Sequence, residues 1–176
     1  MFLYPVKESG SLRKSQKELK KKKIDAVYSS DLLRTKAGAT LIASPHNLEV
    51  DTFSELREVC FGHWEGMNVD SVLQRFPDEL ACRAADFLNH RIKNGESLLD
   101  LKERVIPCVK NMVLSHPGGS IVCVSHSGVN RIILLWALSG SYEKIYSIKQ
   151  EYACLNILNF FEDGHVEIEK MNTFLF

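Results

Sequence analysis

The stretch Val122-Cys-Val-Ser-His126-Ser-Gly-Val-Asn-Arg131 takes an apolar run into a histidine and starts a helical pattern at once. The free N–H groups of a first helical turn, with the helix dipole, favour an anion at such a junction. There His126 either donates a hydrogen bond to a bound phosphate or packs as a cap beneath the helix. Ser127, the first residue of that turn, is counted with it as a phosphate-binding candidate. A second junction of the same kind lies in Val27-Tyr-Ser-Ser-Asp-Leu-Leu-Arg34. One turn into its helix, the Arg34 fork either reaches a phosphate held near the strand ends or pairs with Asp31 at i, i+3. A third stretch, Leu56-Arg-Glu58-Val-Cys-Phe-Gly62-His-Trp64-Glu-Gly66, sets a carboxylate in a loop shaped by two glycines. Glu58, a carboxylate in such a loop, is expected to pass a proton to a leaving oxygen. The alternative is a structural ion pair with Arg57 or Arg34.

The elements that must position these groups follow from periodicity. Phe2–Val6 is a short apolar run, expected as an edge strand because Pro5 cannot donate to a ladder. The stretch 11–23 is helix-like and basic, read as a solvated face. The stretch 25–28 is a strand, and Asp31 is the expected N-cap of a helix running to about Ala43. The stretch 48–53 is extended. Helical periods cover 69–76, 78–90 and 98–115, with Ser97 as N-cap of the last and Glu96 at the positive end of its dipole. The stretch 120–124 is apolar throughout, the mark of a strand buried on both faces. A helix over 127–138 and strands over 154–161 and 166–171 complete the chain. Helices alternating with buried strands predict one three-layer α/β/α domain over residues 1–176, with a mostly parallel sheet. In such sheets ligands bind beyond the carboxyl ends of the strands.

Composition narrows the function classes. Of 176 residues, 45% are hydrophobic and 25% charged, with 22 Lys+Arg against 22 Asp+Glu. A zero formal charge argues against a nucleic-acid partner bound through a basic field. No run approaches the ~20 apolar residues of a membrane span, so no membrane partner is expected. The five cysteines form no C-x-x-C pair, and neither a metal site nor a disulfide framework is read from them. The start MFLYPVKESG is too soon charged for a signal peptide. A cytoplasmic protein without metal or cofactor is the expectation.

Taken in order, Tyr28-Ser-Ser-Asp-Leu-x-Arg34, Leu56-Arg-Glu58 with Phe61-Gly-x-Trp-Glu-Gly66, Gly95-Glu-Ser97 and Val124-Ser-His126-x-Gly-Val resemble the motifs of the histidine phosphatase superfamily. That is the phosphoglycerate-mutase-like fold, and the likeness runs from about residue 11 to the end. The tail around Gln150–Ile157 is similar to the α-ribazole phosphatase branch, which acts late in cobalamin assembly. The resemblance implies a phosphomonoesterase working through a phosphohistidine, on a small phosphorylated molecule and without a metal. By motif, Arg34 is then the family's second arginine, His126 its second histidine and Glu58 its proton donor.

The sequence departs from the family at one place. The Arg-His-Gly triplet that ends the first strand and supplies the nucleophile is missing, and no histidine precedes His46. Lys7-Glu-Ser9 stands where the triplet is expected, and the first βα unit is shortened. The resemblance therefore implies either a phosphatase with impaired catalysis or an inactive module that binds a phosphorylated ligand. His46, His90 and His116 are read as surface histidines. His63, in the glycine-flanked loop, is the substitute nucleophile expected nearest Glu58. A disrupted first strand makes a homodimer a further expectation.

Overall fold

The structure is a computed structural model that describes residues 1–5 and 19–174; at 2–5 it describes the strand alone. The basic stretch 11–23 therefore lies mostly outside the described residues. Six strands form one sheet: β1 (Phe2–Pro5), β2 (Ala26–Ser29), β3 (Val50–Thr52), β4 (Ile121–Ser125), β5 (Leu155–Phe160) and β6 (Val166–Thr173). Their spatial order is β3-β2-β4-β1-β5-β6. The first four strands in that order run parallel, and β5 and β6 are antiparallel additions. The helices are α1 (Leu33–Ala43), α2 (Val69–Arg75), α3 (Pro77–Ala85), α4 (Leu98–Leu114) and α5 (Ser127–Ala137).

The mixed sheet is the expected α/β fold, and β4 explains why. All five of its residues are buried. Ile121 and Cys123 pack with Leu101, Val105, Val109 and Ile132 of α4 and α5. Val122 and Val124 pack on the other face with Ala39, Ile42 and Ala43 of α1. Alternate side chains thus meet different helical layers, which is why the run reads as continuously apolar.

Three local expectations are corrected. β1 is interior, between β4 and β5, although it contains Pro5. Pro5 is its last residue, and β5 pairs only with Phe2 and Leu3, so the missing N–H falls beyond that ladder. The helix expected over 78–90 ends at Ala85, where Asp86 leaves helical geometry and its carboxylate accepts from the Asn89 backbone and side chain. α2, expected to reach Phe76, stops at Arg75, two residues before Pro77, which disfavours helical backbone at Phe76. Ser97, by contrast, caps α4 as expected, in a capping box with Asp100.

Parallel register fixes where the site can form. Ser29 pairs with Val124, and Pro5 with Ser125, so β1, β2 and β4 end level. Ser30 extends β2 by one residue, its N–H donating to the Val124 carbonyl at 3.3 Å. β3 ends beside β2, and Phe53 N–H donates to Ser29 O at 2.9 Å before the chain turns towards Glu58.

Candidate functional site

Two strand–helix junctions meet at the carboxyl end of the parallel strands. His126, one residue past β4, is 4% exposed. Arg34, on the first turn of α1, is exposed and turns its Nη2 to His126 Nδ1 at 3.1 Å. On the other side of the ring, Nε2 lies 2.8 Å from Ser30 Oγ. Ser30 Oγ lies 2.6 Å from Thr35 Oγ1, and both residues are fully buried.

The Asp31 expectation is corrected here. Leu32, not Asp31, occupies the N-cap of α1, and no side chain caps it. The Asp31 carboxylate instead takes a two-pronged hydrogen bond from Arg57, Nε to Oδ1 at 2.6 Å and Nη2 to Oδ2 at 2.5 Å. That pairing leaves Arg34 and Glu58 without the ion-pair partners considered for them, and it holds the Asp31 carboxyl below its ordinary value.

Glu58 is half-buried and lies over the start of α5. Its Oε2 accepts from Gly128 N–H at 3.1 Å, and Oε1 from the Val59 N–H at 3.0 Å. The carboxylate therefore occupies one of the free donors of the helix terminus, a favourable place for a negative charge. Only glycine permits this approach, since a Cβ at 128 would fall 2.2 Å from Glu58 Oε1. Ser127 is the first residue of α5, and its hydroxyl accepts from Arg131 Nη1 at 3.3 Å.

The loop that carries Glu58 is clamped by Arg104 of α4. Its guanidinium donates to both oxygens of Glu96, at 2.7 and 2.9 Å, and to the carbonyls of Glu55 and Glu58. Glu96 in turn accepts from Cys60 N–H at 3.0 Å. Burial works to raise the Glu96 carboxyl, but Arg104 and the Cys60 N–H together outweigh it and hold it below its ordinary value. Glu96 is thus a strut for the loop rather than an anion at a helix terminus. Two glycines lock the same loop. A Cβ at Gly62 would stand 2.1 Å from Lys93 O, and one at Gly95 2.6 Å from Cys60 O.

The remaining histidines lie away from this arrangement. His63 points its two nitrogens at Lys93 O (3.1 Å) and the Glu79 carboxylate (2.8 Å), not towards Glu58. His116 meets the Tyr28 hydroxyl at 2.7 Å. His46 and His90 are half-buried rather than on the surface, and in each Nε2 is covered without a hydrogen-bond partner. A hollow of about 590 Å³ lined by Met1, His116, Gly119 and Glu169 lies at the opposite end of β4.

Burial, with Arg34 and Arg104 adding to it, pushes the His126 imidazole down from 6.5 to about 3. The sign of the pH effect follows. Below about pH 6.5 the unfolded chain takes up a proton that the folded ring refuses, so stability falls with pH from there towards about 3. One such proton is worth at most about 1.4 kcal/mol per pH unit. Burial lowers the Met1 amine from 8.0 to about 6, so most of its matching loss has already occurred by pH 6. The lowered carboxylates Glu96, Asp31 and Asp100 add theirs only as their ordinary values near 4 are approached. Between pH 6 and 5 the decline therefore belongs to His126. Urea midpoints at those two pH values should differ in the native chain, and His126→Asn should remove most of that difference.

Sequence reasoning brings together Arg34, His126, Ser127 and Glu58 but misses Ser30, Thr35 and Arg104. The signal for Ser30 is a small polar residue directly beyond an apolar strand, level with the strand that ends at His126.

Comparison with known proteins adds the following. The sequence model described as histidine phosphatase superfamily (branch 1) matches residues 10–173. Phosphoserine phosphatase 1 of Hydrogenobacter thermophilus is 29% identical over 155 residues, 88% of this chain and 73% of that protein. Some curated relatives are longer, and the chain spans 41% of those that are 30% identical. Among solved structures, Bacillus stearothermophilus YhfR superposes with a TM-score of 0.87 at 18% identity, covering 98% of this chain and 96% of that one. The alpha-ribazole phosphatase from Shigella flexneri superposes with a TM-score of 0.84 at 19% identity, covering 98% and 95%.

Proposed function

The chain belongs to branch 1 of the histidine phosphatase superfamily, and from that premise we propose that it holds the phosphoryl group of a small phosphate monoester between Arg34 and His126. In this reading Glu58 passes a proton to the leaving oxygen. The observation that carries it is the 3.1 Å contact between Arg34 and His126, which come from two separate strand–helix junctions. A phosphoryl oxygen entering between them replaces that contact and gains the charged fork of an exposed arginine. The first turn of α5, with Ser127, follows His126 directly in the chain. Phosphoserine and α-ribazole phosphate, named after the activities of two relatives, are the first monoesters to try.

The rate is proposed to be low. Lys7-Glu-Ser9 stands where the family's Arg-His-Gly supplies the nucleophile, and those residues lie outside the described ones. Removing a nucleophile costs on the order of a millionfold in a serine protease. A residual route needs Glu58 first to take up a proton from solvent; water then attacks phosphorus as the bond to the leaving oxygen breaks, Glu58 gives that oxygen its proton, and the proton lost by the water returns to the Glu58 carboxylate. The same sequence observation favours a second reading, a phosphate-ligand binding module without turnover.

Calorimetry with inorganic phosphate and turnover of p-nitrophenyl phosphate test the proposal. Saturable binding with slow turnover, both lost in His126→Ala, is the expected result. No binding at millimolar phosphate removes the pocket; turnover that His126→Ala leaves intact removes the assigned roles. Zero turnover with binding retained leaves the binding module.

Gly128→Ala isolates Glu58. The added Cβ displaces a flexible carboxylate rather than backbone, so the chain should fold and bind phosphate. Any turnover that depends on Glu58 as proton donor should fall by about a hundredfold or more.

A further inference from the structure

We propose that Ser30 and Thr35 are positioning residues that commit the His126 ring proton to Nε2, leaving Nδ1 a bare acceptor towards Arg34, so that the dianion of a phosphate monoester enters the site only with one added proton. This deepens the phosphate-site reading and rests on it for the second half alone.

The argument is one of donors and acceptors. The Thr35 hydroxyl has one proton, and two carbonyls accept it, Leu32 O at 2.8 Å and Ser30 O at 3.1 Å. Its oxygen therefore accepts from Ser30 Oγ across 2.6 Å. Ser30 has then spent its own proton, so across the 2.8 Å contact its oxygen accepts from His126 Nε2–H. Arg34 fixes the other end independently, because a guanidinium only donates and requires a lone pair on Nδ1 at 3.1 Å. The two ends agree on one tautomer. All members but Arg34 are at least 95% buried, so water cannot easily substitute for a missing partner.

The surroundings give no alternative source of the proton among the described residues. The groups facing the ring are Arg34 from α1 and Arg104 from α4, both cations, with the Ser30 and Thr35 hydroxyls. On its own helix, Arg131 is engaged with Ser127 and the Ile148 carbonyl. The Glu58 carboxylate accepts at Gly128 and has no proton to give in that state. The dianion of a phosphate monoester offers only acceptor oxygens, and Nδ1 in this tautomer is likewise an acceptor. To bridge Arg34 and His126, either the ring gains a proton at Nδ1 or the phosphate keeps one of its own. Either way the complex holds one proton more than the separate dianion and protein. Affinity should then fall about tenfold per pH unit where the free monoester is the dianion, the slope linkage demands for one proton.

Long-range proton–nitrogen NMR on the uniformly labelled, ligand-free chain reads the tautomer directly. The expected spectrum has the proton on Nε2 of His126 alone. Arg34→Ala should keep that tautomer, because the hydroxyl relay holds it, and Thr35→Ser should keep it too. Arg34→Ala combined with Ser30→Ala should release it to a mixture. A proton on Nδ1 in the native chain, a mixture in Arg34→Ala, or an unchanged tautomer in the double variant each overturns the positioning role. A structural contribution of these hydroxyls would move the melting temperature without moving the tautomer. Calorimetry with phenyl phosphate at pH 8.5, in two buffers of different ionisation heat, should give about one proton taken up per monoester bound. Binding without uptake overturns the coupling. No binding at all removes the phosphate-site reading and the coupling together, while the ligand-free spectrum still decides the roles of Ser30 and Thr35.

Discussion

Arg34→Ala is expected to weaken inorganic phosphate binding by about a hundredfold or more and to leave the melting temperature almost unchanged. The two halves come from different features of one side chain. Arg34 is exposed, and its hydrogen bond is to His126, so its removal opens no cavity in the core. A hydrogen bond to a charged group contributes roughly 1.5–3 kcal/mol, and a two-pronged guanidinium–phosphate contact makes two of them. At about 1.4 kcal/mol per tenfold, that spans a hundredfold and upward. Arg34→Lys should recover only part of the loss, because an ammonium keeps the charge and not the planar fork. Calorimetry on the three proteins, with melts alongside, gives both numbers. An affinity unchanged in Arg34→Ala would remove Arg34 from the phosphate site.

Gly62→Ala should produce the largest loss of stability among the single substitutions considered. The new Cβ would lie 2.1 Å from the Lys93 carbonyl and 2.7 Å from Gly95 N, both backbone atoms that cannot rotate away. Gly62 also has φ +55, which costs a residue with a Cβ roughly 1–2 kcal/mol. Overpacking adds about 1–3 kcal/mol. Together these lower the melting temperature by on the order of 10 °C in a chain of this length. Gly66→Ala is the control. Its φ is +76 but nothing lies within 4 Å of the added carbon, so it should show the conformational cost alone. If the two variants melt together, the interlocked backbones at 62 and 95 are not what holds the loop.

What the sequence makes legible here depends on whether a residue's partner is near in the chain. β4 and α5 stand out because a strand buried on both faces is apolar throughout and ends at a histidine. Ser97 is legible because its capping partner, Asp100, is three residues on. Asp31 has the right type and place for an N-cap, yet Arg57, brought alongside by the turn after β3, takes its carboxylate. His63 sits near Glu58 in sequence, but the turn over Gly62–Trp64 swings it to Glu79 and Lys93. Ser30 and Thr35 look like ordinary loop and helix polars until β2 and β4 are set in register. Arg104 gives no local signal, because its partners are the Glu96 carboxylate and, far from it in the chain, the carbonyls of Glu55 and Glu58. In each case a long-range contact sets a side chain that local chemistry does not place.

The interior place of β1 bears on how the chain is made. Phe2 has its sheet neighbours at Val122 and Ile157, so β1, made before the other five strands, has no sheet partner until Val122 has been synthesised. β2 reaches β3 early but waits equally for β4. The sheet therefore closes only late in translation, and until then an unpaired apolar segment is exposed to neighbouring nascent chains. Recovery of soluble protein should depend more on the supply of chaperones during synthesis than the folded molecule's own robustness would suggest.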